Sequence, residues 1–490
     1  MSKSRPHWSS NFVYILAAIG CAAGLGNFWR FPMLAFEHGG AAFIFALLVA
    51  NILLVFPLVM METVIGQKMQ LAGPQAFEKM KKGTGWIQWI PVIGLMILLM
   101  YYVPILAWGI KYLIMSFSGD FLVETSSYFP REILHLTDSV TDLGSFQWGL
   151  FAALVASYGF VLYALRKNVL SLGPVVKITA TAPFVLLLII LIRGITLPGA
   201  MDGLRAFFVP DWSALADIKL WQAAIGQAFF SASLAMGYFF IAGSHRTEKE
   251  EIPRTTAWVL VGNFMVSMLA GIGVFSTLGF MAQEQGVAIS EAATGGPMLV
   301  FSVLPTAVSM MPSGAIFFAI LLFLVVITLA IDSVIGIFEV IAGGFHDIFK
   351  KTNYNKILLI IAVICGLGSL PFLTGAGLYF LDITDHFVSG YFLLLTGILE
   401  TAIVAYWVGP KKIRNWINDT AKGCKIPRIF DYILYLTPII LAIMTGVTIY
   451  KEFQEPYGGY PMNYLIGGGI IPLLLVIVLA FFFNNYRRTK

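Results

Sequence analysis

Charge is scarce in this sequence: Asp, Glu, Lys and Arg make up only 12% of its 490 residues, against 58% hydrophobic. No soluble domain of this length has that balance, so an integral membrane protein is expected. Cysteine is nearly missing. Of the three, Cys21 and Cys365 fall in apolar runs and Cys424 in a cytoplasmic loop, a spacing that excludes a disulfide framework and a zinc site. The six histidines are dispersed, and none stands beside Cys or Ser in a nucleophile-and-base motif, which argues against a membrane enzyme. The opening MSKSRPHWSS has no apolar run leading to a small-residue cleavage site, so the first span is expected to be retained.

What is there is apolar length. Stretches able to cross roughly 30 Å of hydrocarbon recur near 11-36, 41-70, 86-118, 146-166, 172-194, 220-245, 253-283, 312-348, 355-373, 378-408, 429-452 and 463-486. The pattern predicts an all-α integral membrane protein with twelve transmembrane helices and both ends on one side. Most of the 31 Lys and Arg then fall on inner segments, among them Lys79, Lys81, Lys82, Arg166, Lys167, Lys411, Lys412, Arg414, Arg487 and Arg488. The positive-inside rule therefore predicts cytoplasmic termini, and the net charge of +5 reports topology, not nucleic-acid binding.

Two spans carry internal breaks. Span 1 contains Gly20, Gly24, Gly26 and Asn27; span 6, five helices later, contains Ser231, Ser233 and Gly237 among small residues. The recurrence predicts an inverted five-helix repeat, spans 1-5 over 11-194 and spans 6-10 over 220-408, with broken helices 1 and 6 meeting at the bilayer midplane. The rest of the chain divides into an N-terminal gate segment at 1-10, an outer loop at 195-219, a lid at 284-311 within the second repeat, and spans 11 and 12 with the tail at 409-490.

Polar groups inside the apolar runs need partners or water, since a central Arg costs roughly 2.5 to 3.5 kcal/mol. In span 1 a glycine packing face with Arg30 snorkelling outward leaves Asn27 and the clustered glycines unexplained. An unwound segment from Cys21 to Gly26 explains them: freed carbonyls replace a cation's water, and amides opening the next half-helix hold a carboxylate. Asp332, within LAIDSVIG of span 8, has no basic partner in its own span and points to a hard cation held with Ser333 and carbonyls. Span 6 alone reads as an aromatic core helix whose serines bond back to the preceding turn, and Tyr101 and Tyr102 of span 3 as packing residues. The functional reading rests on the combination.

These residues carry a family resemblance. GLGNFWRFP at 24-32 followed by EHGG at 37-40, with GQAFFSASLAMG, VGNFMVSMLAGIGVFSTLGFMA, LVVITLAIDS and YFLDITDHFVSG further on, resembles the neurotransmitter:sodium symporters over the whole ten-helix core. The resemblance implies the leucine-transporter fold and two sodium ions. One would be held by the Ala22 carbonyl, Asn27, Ser231, Asn263 and the substrate carboxylate; the other by carbonyls of Gly20, Ala23 and Leu329 with Asp332 and Ser333. The substrate carboxylate would meet the Leu25 and Gly26 amides and the Tyr102 hydroxyl, and its amine the carbonyls of Ala22, Phe230, Ser231 and Ser233. Leu98, Phe230, Met236, Ser333 and Ile337 would line a mostly apolar pocket. Where the family's monoamine carriers have an aspartate this chain has Gly24, which implies a substrate bringing its own carboxylate.

The resemblance further implies an outer gate of Arg30 and Asp385 above Phe230 and Tyr102, an inner gate of Arg5, Trp8 and Asp347, and a helix 5 that unwinds between Gly173 and Pro183. His245 replaces the inner gate's usual tyrosine, which suggests pH sensitivity. Gln227, Ser231, Asn263 and Ser267 resemble the animal chloride site, whereas Leu47 replaces that site's tyrosine, so chloride dependence stays open at this point. The implied function is sodium-coupled symport of neutral, hydrophobic L-amino acids by alternating access, in a plasma (inner) membrane, as a monomer or loose dimer within the lipid bilayer. The alternative is an amino-acid sensor or ion channel on the same fold.

Overall fold

The computed structural model describes residues 5–122, 125–167, 169–423 and 425–488, so Cys424 lies outside the described residues. Every regular element among them is helical. Numbering only the membrane-crossing segments, the chain runs α1 Asn11–Ala22, α2 Gly26–Glu37, α3 Ala41–Met69, α4 Gly85–Ser116, α5 Trp148–Leu165, α6 Ser171–Ile195, α7 Ile218–Ser231 and α8 Tyr238–Ser244. It continues through α9 Ile252–Gln285, α10 Ala315–Ile348, α11 Tyr354–Gly368, α12 Gly377–Val408, α13 Ile429–Gln454 and α14 Met462–Tyr486.

Among the described residues nine helices are individually long and apolar enough to cross a bilayer, and α1 with α2, bent by 57°, form a tenth span. The interrupted pair α7 and α8 and the 15-residue α11 complete the twelve expected spans. Several helices far exceed the roughly 20 residues that a bilayer requires. Among them α4, α9 and α10, of 32, 34 and 34 residues, form walls around the two breaks.

Close backbone approach holds the centre together. A side chain at Gly66 of α3 would collide with the Phe240 carbonyl of α8, and one at Gly243 of α8 with the Thr63 carbonyl of α3. Paired small residues thus let α8, only two turns long, lie directly on α3, as membrane helices do where lipid supplies no hydrophobic drive for association. In α6 helical bonding lapses at Ala180 and Thr181, two residues before Pro183, and Ala180 comes to rest against Gly20 of α1. The apolar segment Gly296–Ser309 packs back on the bundle: it buries Leu299, Val300 and Phe301, with Phe301 stacked on Phe129 at 5.0 Å and its carbonyl accepting the Tyr112 hydroxyl at 2.7 Å.

Candidate functional site

The first helix stops where the glycines begin. Ala23, at φ −79 and ψ 76, leaves the helical region; the Gly24 amide turns back to the Ala22 carbonyl at 2.9 Å, and the chain resumes as a wide turn from Gly26. The opposing break is deeper. Helix α7 ends at Ser231, and Ser233, Ala235 and Gly237 all take positive φ (51, 59 and 81) before α8 starts. Only glycine adopts that region freely, so the small side chains of this segment reduce its strain without removing it.

The two breaks and helices α4 and α10 enclose one cavity of about 40 Å³, above the roughly 10–15 Å³ that a single water needs. All eleven residues expected to meet substrate line it: Ala22, Leu25, Gly26, Leu98, Tyr102, Phe230, Ser231, Ser233, Met236, Ser333 and Ile337. The Leu25 amide points to the Tyr102 hydroxyl at 3.5 Å, so the amide and hydroxyl expected at the carboxylate converge. Gly24 is a necessity of space: a Cβ there would stand 2.7 Å from Ser333 Oγ and 3.3 Å from Tyr102 Oη.

Beside the cavity lies an amide and hydroxyl cluster. Asn27 Nδ2 donates to Asn263 Oδ1 and to Ser267 Oγ, both at 2.8 Å, and Asn263 Nδ2 donates to Ser231 Oγ at 3.2 Å. Those donors are spent, which leaves the buried Asn27 Oδ1 without a donor of its own. An acceptor so placed suits a cation, because a buried polar atom left unpaired costs about 1–3 kcal/mol. Gln227 donates to the Gly26 carbonyl at 3.3 Å, bringing the fourth expected chloride residue beside the same cluster, and Leu47 is buried.

Asp332 makes a second acceptor site. It is 5% exposed; Oδ1 accepts the Thr179 hydroxyl, whereas Oδ2 has no partner and faces the space that a Cβ on Gly20 would occupy, 2.5 Å away. Among the described residues no basic side chain pairs with it. Ser333 turns its hydroxyl to the carbonyls of Cys21 and Leu329, both at 3.3 Å, placing Leu329 and Ser333 beside the α1 break with Gly20 and Ala23. A hard cation matches an unpaired carboxylate oxygen among carbonyls and hydroxyls.

The residues expected at the inner and outer gates differ in their pairing. At the inner end Arg5 Nη2 pairs with Asp347 Oδ1 at 2.7 Å, Trp8 Nε1 donates to the Ala242 carbonyl at 2.9 Å, and Trp8 is buried. His245 joins this network: its Nδ1 faces the Pro6 carbonyl at 2.7 Å, so that nitrogen carries the proton, and its Nε2 stands 4.0 Å from Glu339 Oε1. At the outer end Arg30 and Asp385 line one vestibule of about 350 Å³ but form no ion pair. Asp385 instead accepts the Tyr101 hydroxyl at 2.7 Å, and Arg30 lies 5.4 Å from the Phe230 ring. Phe230 borders both vestibule and cavity and forms the wall between them.

Three participants escape sequence reasoning. Thr179 reaches Asp332 from α6, Tyr101 holds Asp385, and Cys21 puts its thiol into the cavity wall 3.8 Å from Ser233 Oγ. The Gly173 to Pro183 spacing pointed at the right turn of α6 but not at the hydroxyl.

The comparisons agree with this geometry. The profile of the Sodium:neurotransmitter symporter family matches residues 5–125 and 119–489. An uncharacterized sodium-dependent transporter of Methanocaldococcus jannaschii is 35% identical over 96% of this chain and 96% of its own. The human sodium- and chloride-dependent GABA transporter 2 is 32% identical over 94% of this chain and 84% of its own, and its mouse counterpart 31% identical over the same shares. Broken helices, a cavity between them and matches along nearly the whole length lead to one assignment: the chain belongs to the sodium:neurotransmitter symporter family, whose members are transporters and not enzymes.

Proposed function

We propose that the protein carries neutral, hydrophobic L-amino acids inward together with sodium ions by alternating access. The observation that carries this reading is the Gly24–Leu25 corner: an amide and the Tyr102 hydroxyl converge on a cavity otherwise lined by Leu98, Phe230, Met236 and Ile337. Such a site suits a carboxylate at one end and an apolar side chain at the other. The human relative's named substrate, GABA, is itself an amino acid with a carboxylate, in keeping with glycine at position 24.

In this reading one sodium sits among Ala22, Asn27, Ser231 and Asn263 and is completed by the substrate carboxylate, so each ligand raises the other's affinity. The second bridges Gly20, Ala23 and Leu329 to Asp332 and Ser333, biasing how α1 sits against α10. Chloride occupies the neighbouring cluster of Gln227, Ser231, Asn263 and Ser267. The outer gate Arg30 and Asp385 closes once Phe230 has settled over the substrate; the inner latch of Arg5, Trp8 and Asp347 then opens, and further unwinding of α6 wets the second sodium. The two five-helix halves, 11-194 and 220-408, supply the rocking parts, with cytoplasmic termini in a plasma (inner) membrane.

Two sodium ions moving through about 100 mV and a tenfold gradient supply roughly 2.3 plus 1.4 kcal/mol each, about 7 kcal/mol per cycle. Purified protein in sodium-gradient proteoliposomes tests the reading. Saturable uptake of a neutral amino acid, chosen from a sodium-dependent thermal-shift screen of all twenty, should collapse with the gradient. Binding without uptake would instead identify a sensor, and sodium current without accumulation a channel.

A further inference from the structure

The connector between α12 and α13 is unusually basic. Residues 409–428 carry six basic side chains, Lys411, Lys412, Arg414, Lys422, Lys425 and Arg428, against one acidic, Asp419. Within it Pro410–Thr420 folds as an amphipathic helix: Ile413, Ile417 and Thr420 are buried against the bundle, whereas Lys411, Lys412, Asn415 and Asp419 are exposed. Thr420 Oγ1 accepts the Ile252 amide at 3.3 Å and the Lys422 amide donates to Glu251 Oε1 at 3.4 Å, tying the connector to the start of α9. Arg246, which bonds the Glu251 carbonyl at 2.8 Å, also reaches Asn11 at 3.4 Å, so the connector lies at the end of the bundle that holds the Arg5–Asp347 pair.

The helix and the loop after it border an open groove of about 870 Å³, within the roughly 300–1,000 Å³ of ligand-binding pockets. Asn418 fixes its shape: Nδ2 donates to the Ile426 carbonyl at 3.2 Å and Oδ1 accepts the Ile426 amide at 2.7 Å, which brings Lys425 into the groove lined by Lys411 and Lys412. Arg414 is spent on Asp431 at 2.9 Å, but among the described residues no acidic side chain pairs with the three lysines. Asp419 on the rim sets one negative charge against three positive. Two aromatic features place the groove in depth. Tyr406 and Trp407, 51% and 61% exposed, end α12 just before it, and Trp416 in its wall lies 5.0 Å from Lys412 Nζ. Exposed Tyr and Trp at the end of a span mark the membrane–water interface, where lipid phosphates lie.

We propose that this groove binds an anionic phospholipid, with Lys411, Lys412 and Lys425 on the head-group phosphate and the acyl chains running past Tyr406 and Trp407 along α12. Basic pockets at the ends of spans take phospholipid head groups for this reason: the lysines supply the charge and the adjoining apolar helices supply the surface for the chains. A zwitterionic lipid carries its own balancing ammonium and is attracted less; a soluble phosphate has the charge but no chains. That the lipid belongs to the cytoplasmic leaflet rests on the orientation proposed above, whereas the binding itself does not.

Native mass spectrometry of the full-length protein, released from detergent micelles containing phosphatidylglycerol or phosphatidylcholine with the same acyl chains, tests the site by counting bound lipids. Each lysine near an anionic surface changes affinity about fivefold. The triple variant Lys411→Gln, Lys412→Gln, Lys425→Gln should therefore bind one phosphatidylglycerol fewer than the wild type at the same lipid concentration, with its phosphatidylcholine count unchanged. Arginine at all three positions should keep the wild-type count, because the charge remains, and so should Lys79→Gln, Lys81→Gln, Lys82→Gln, which neutralises a different basic cluster. Equal phosphatidylglycerol counts in the groove variant and the wild type would overturn the proposal, as would the same loss in the arginine variant or a parallel loss of phosphatidylcholine. Displacement of that one lipid by an equal concentration of glycerol phosphate would identify a site for soluble phosphates and overturn the lipid assignment.

Discussion

Arg5 Nη2 stands 2.7 Å from Asp347 Oδ1, and the second oxygen of the same carboxylate accepts the Ala72 amide at 2.8 Å, so one side chain ties the N-terminal segment to both α10 and the start of the Gly73–Met80 helix. Arg30 and Asp385, by contrast, share the outer vestibule without pairing. In the proposed reading the molecule is latched inside and unlatched outside. The Arg5–Asp347 pair is mostly buried, its side chains 14% and 7% exposed, so removing one partner costs more than it would at an exposed pair.

Asp347→Ala should release that latch. Each loss of about 1 kcal/mol changes the ratio of closed to open inner ends roughly fivefold. With Cys365 and Cys424 replaced by Ser, Cys21 in the cavity wall becomes the reporter. Its labelling by a membrane-impermeant maleimide from the inner face should accelerate several-fold without sodium, and an unchanged rate would show that Arg5 and Asp347 do not control access.

Gly24→Ala places a methyl group 2.7 Å from Ser333 Oγ and 3.3 Å from Tyr102 Oη, where the substrate carboxylate is proposed to lie. Amino-acid affinity should fall at least tenfold by equilibrium binding. Gly24→Asp should abolish binding, since a fixed carboxylate would face that of the substrate. Retained affinity in the aspartate variant would move the carboxylate elsewhere.

How much of this was legible in the sequence follows from the range of the physics. The α1 break was readable because Gly20, Gly24 and Gly26 act on their own backbone, and span limits because apolar length is a local property. The hold of Glu62 on the Ala235 amide was not, because a carboxyl of α3 meets the α7–α8 break only after the helices pack. Thr179 was invisible for the same reason: a threonine in an apolar helix ordinarily bonds back one turn, as this one also does to the Val175 carbonyl. Only the tertiary position of Asp332, 153 residues away in sequence, gives its hydroxyl a second role. The expected outer-gate pair was half legible: Arg30 and Asp385 do share a vestibule, but the Tyr101 bond that holds Asp385 depends on how α4 is turned about its own axis.

Thr179→Val should weaken the proposed second sodium site without touching the first. Removing a hydrogen bond to a charged group costs about 1.5 kcal/mol, or roughly tenfold in affinity. The sodium concentration for half-maximal uptake should rise by about that factor, and Thr179→Ser should restore it. Asp332→Asn should abolish sodium stimulation altogether. Equal sodium dependence in the valine variant and the wild type would show that the hydroxyl does not organise the carboxylate.

Replacement of chloride by gluconate tests the cluster beside Asn27. Gln227, Ser231, Asn263 and Ser267 come together there, and no carboxylate stands among them to balance the sodium proposed at Asn27 and Ser231. A small anion would supply that charge. Because Leu47 offers no hydroxyl, a chloride there would be held by fewer donors and should bind weakly, so uptake should fall several-fold in gluconate and recover only at high chloride. Ser267→Glu would build the missing charge into the protein and should make uptake indifferent to the anion. If wild-type uptake is already the same in gluconate, the hydrogen bonds within the cluster suffice without an anion and the chloride assignment is wrong.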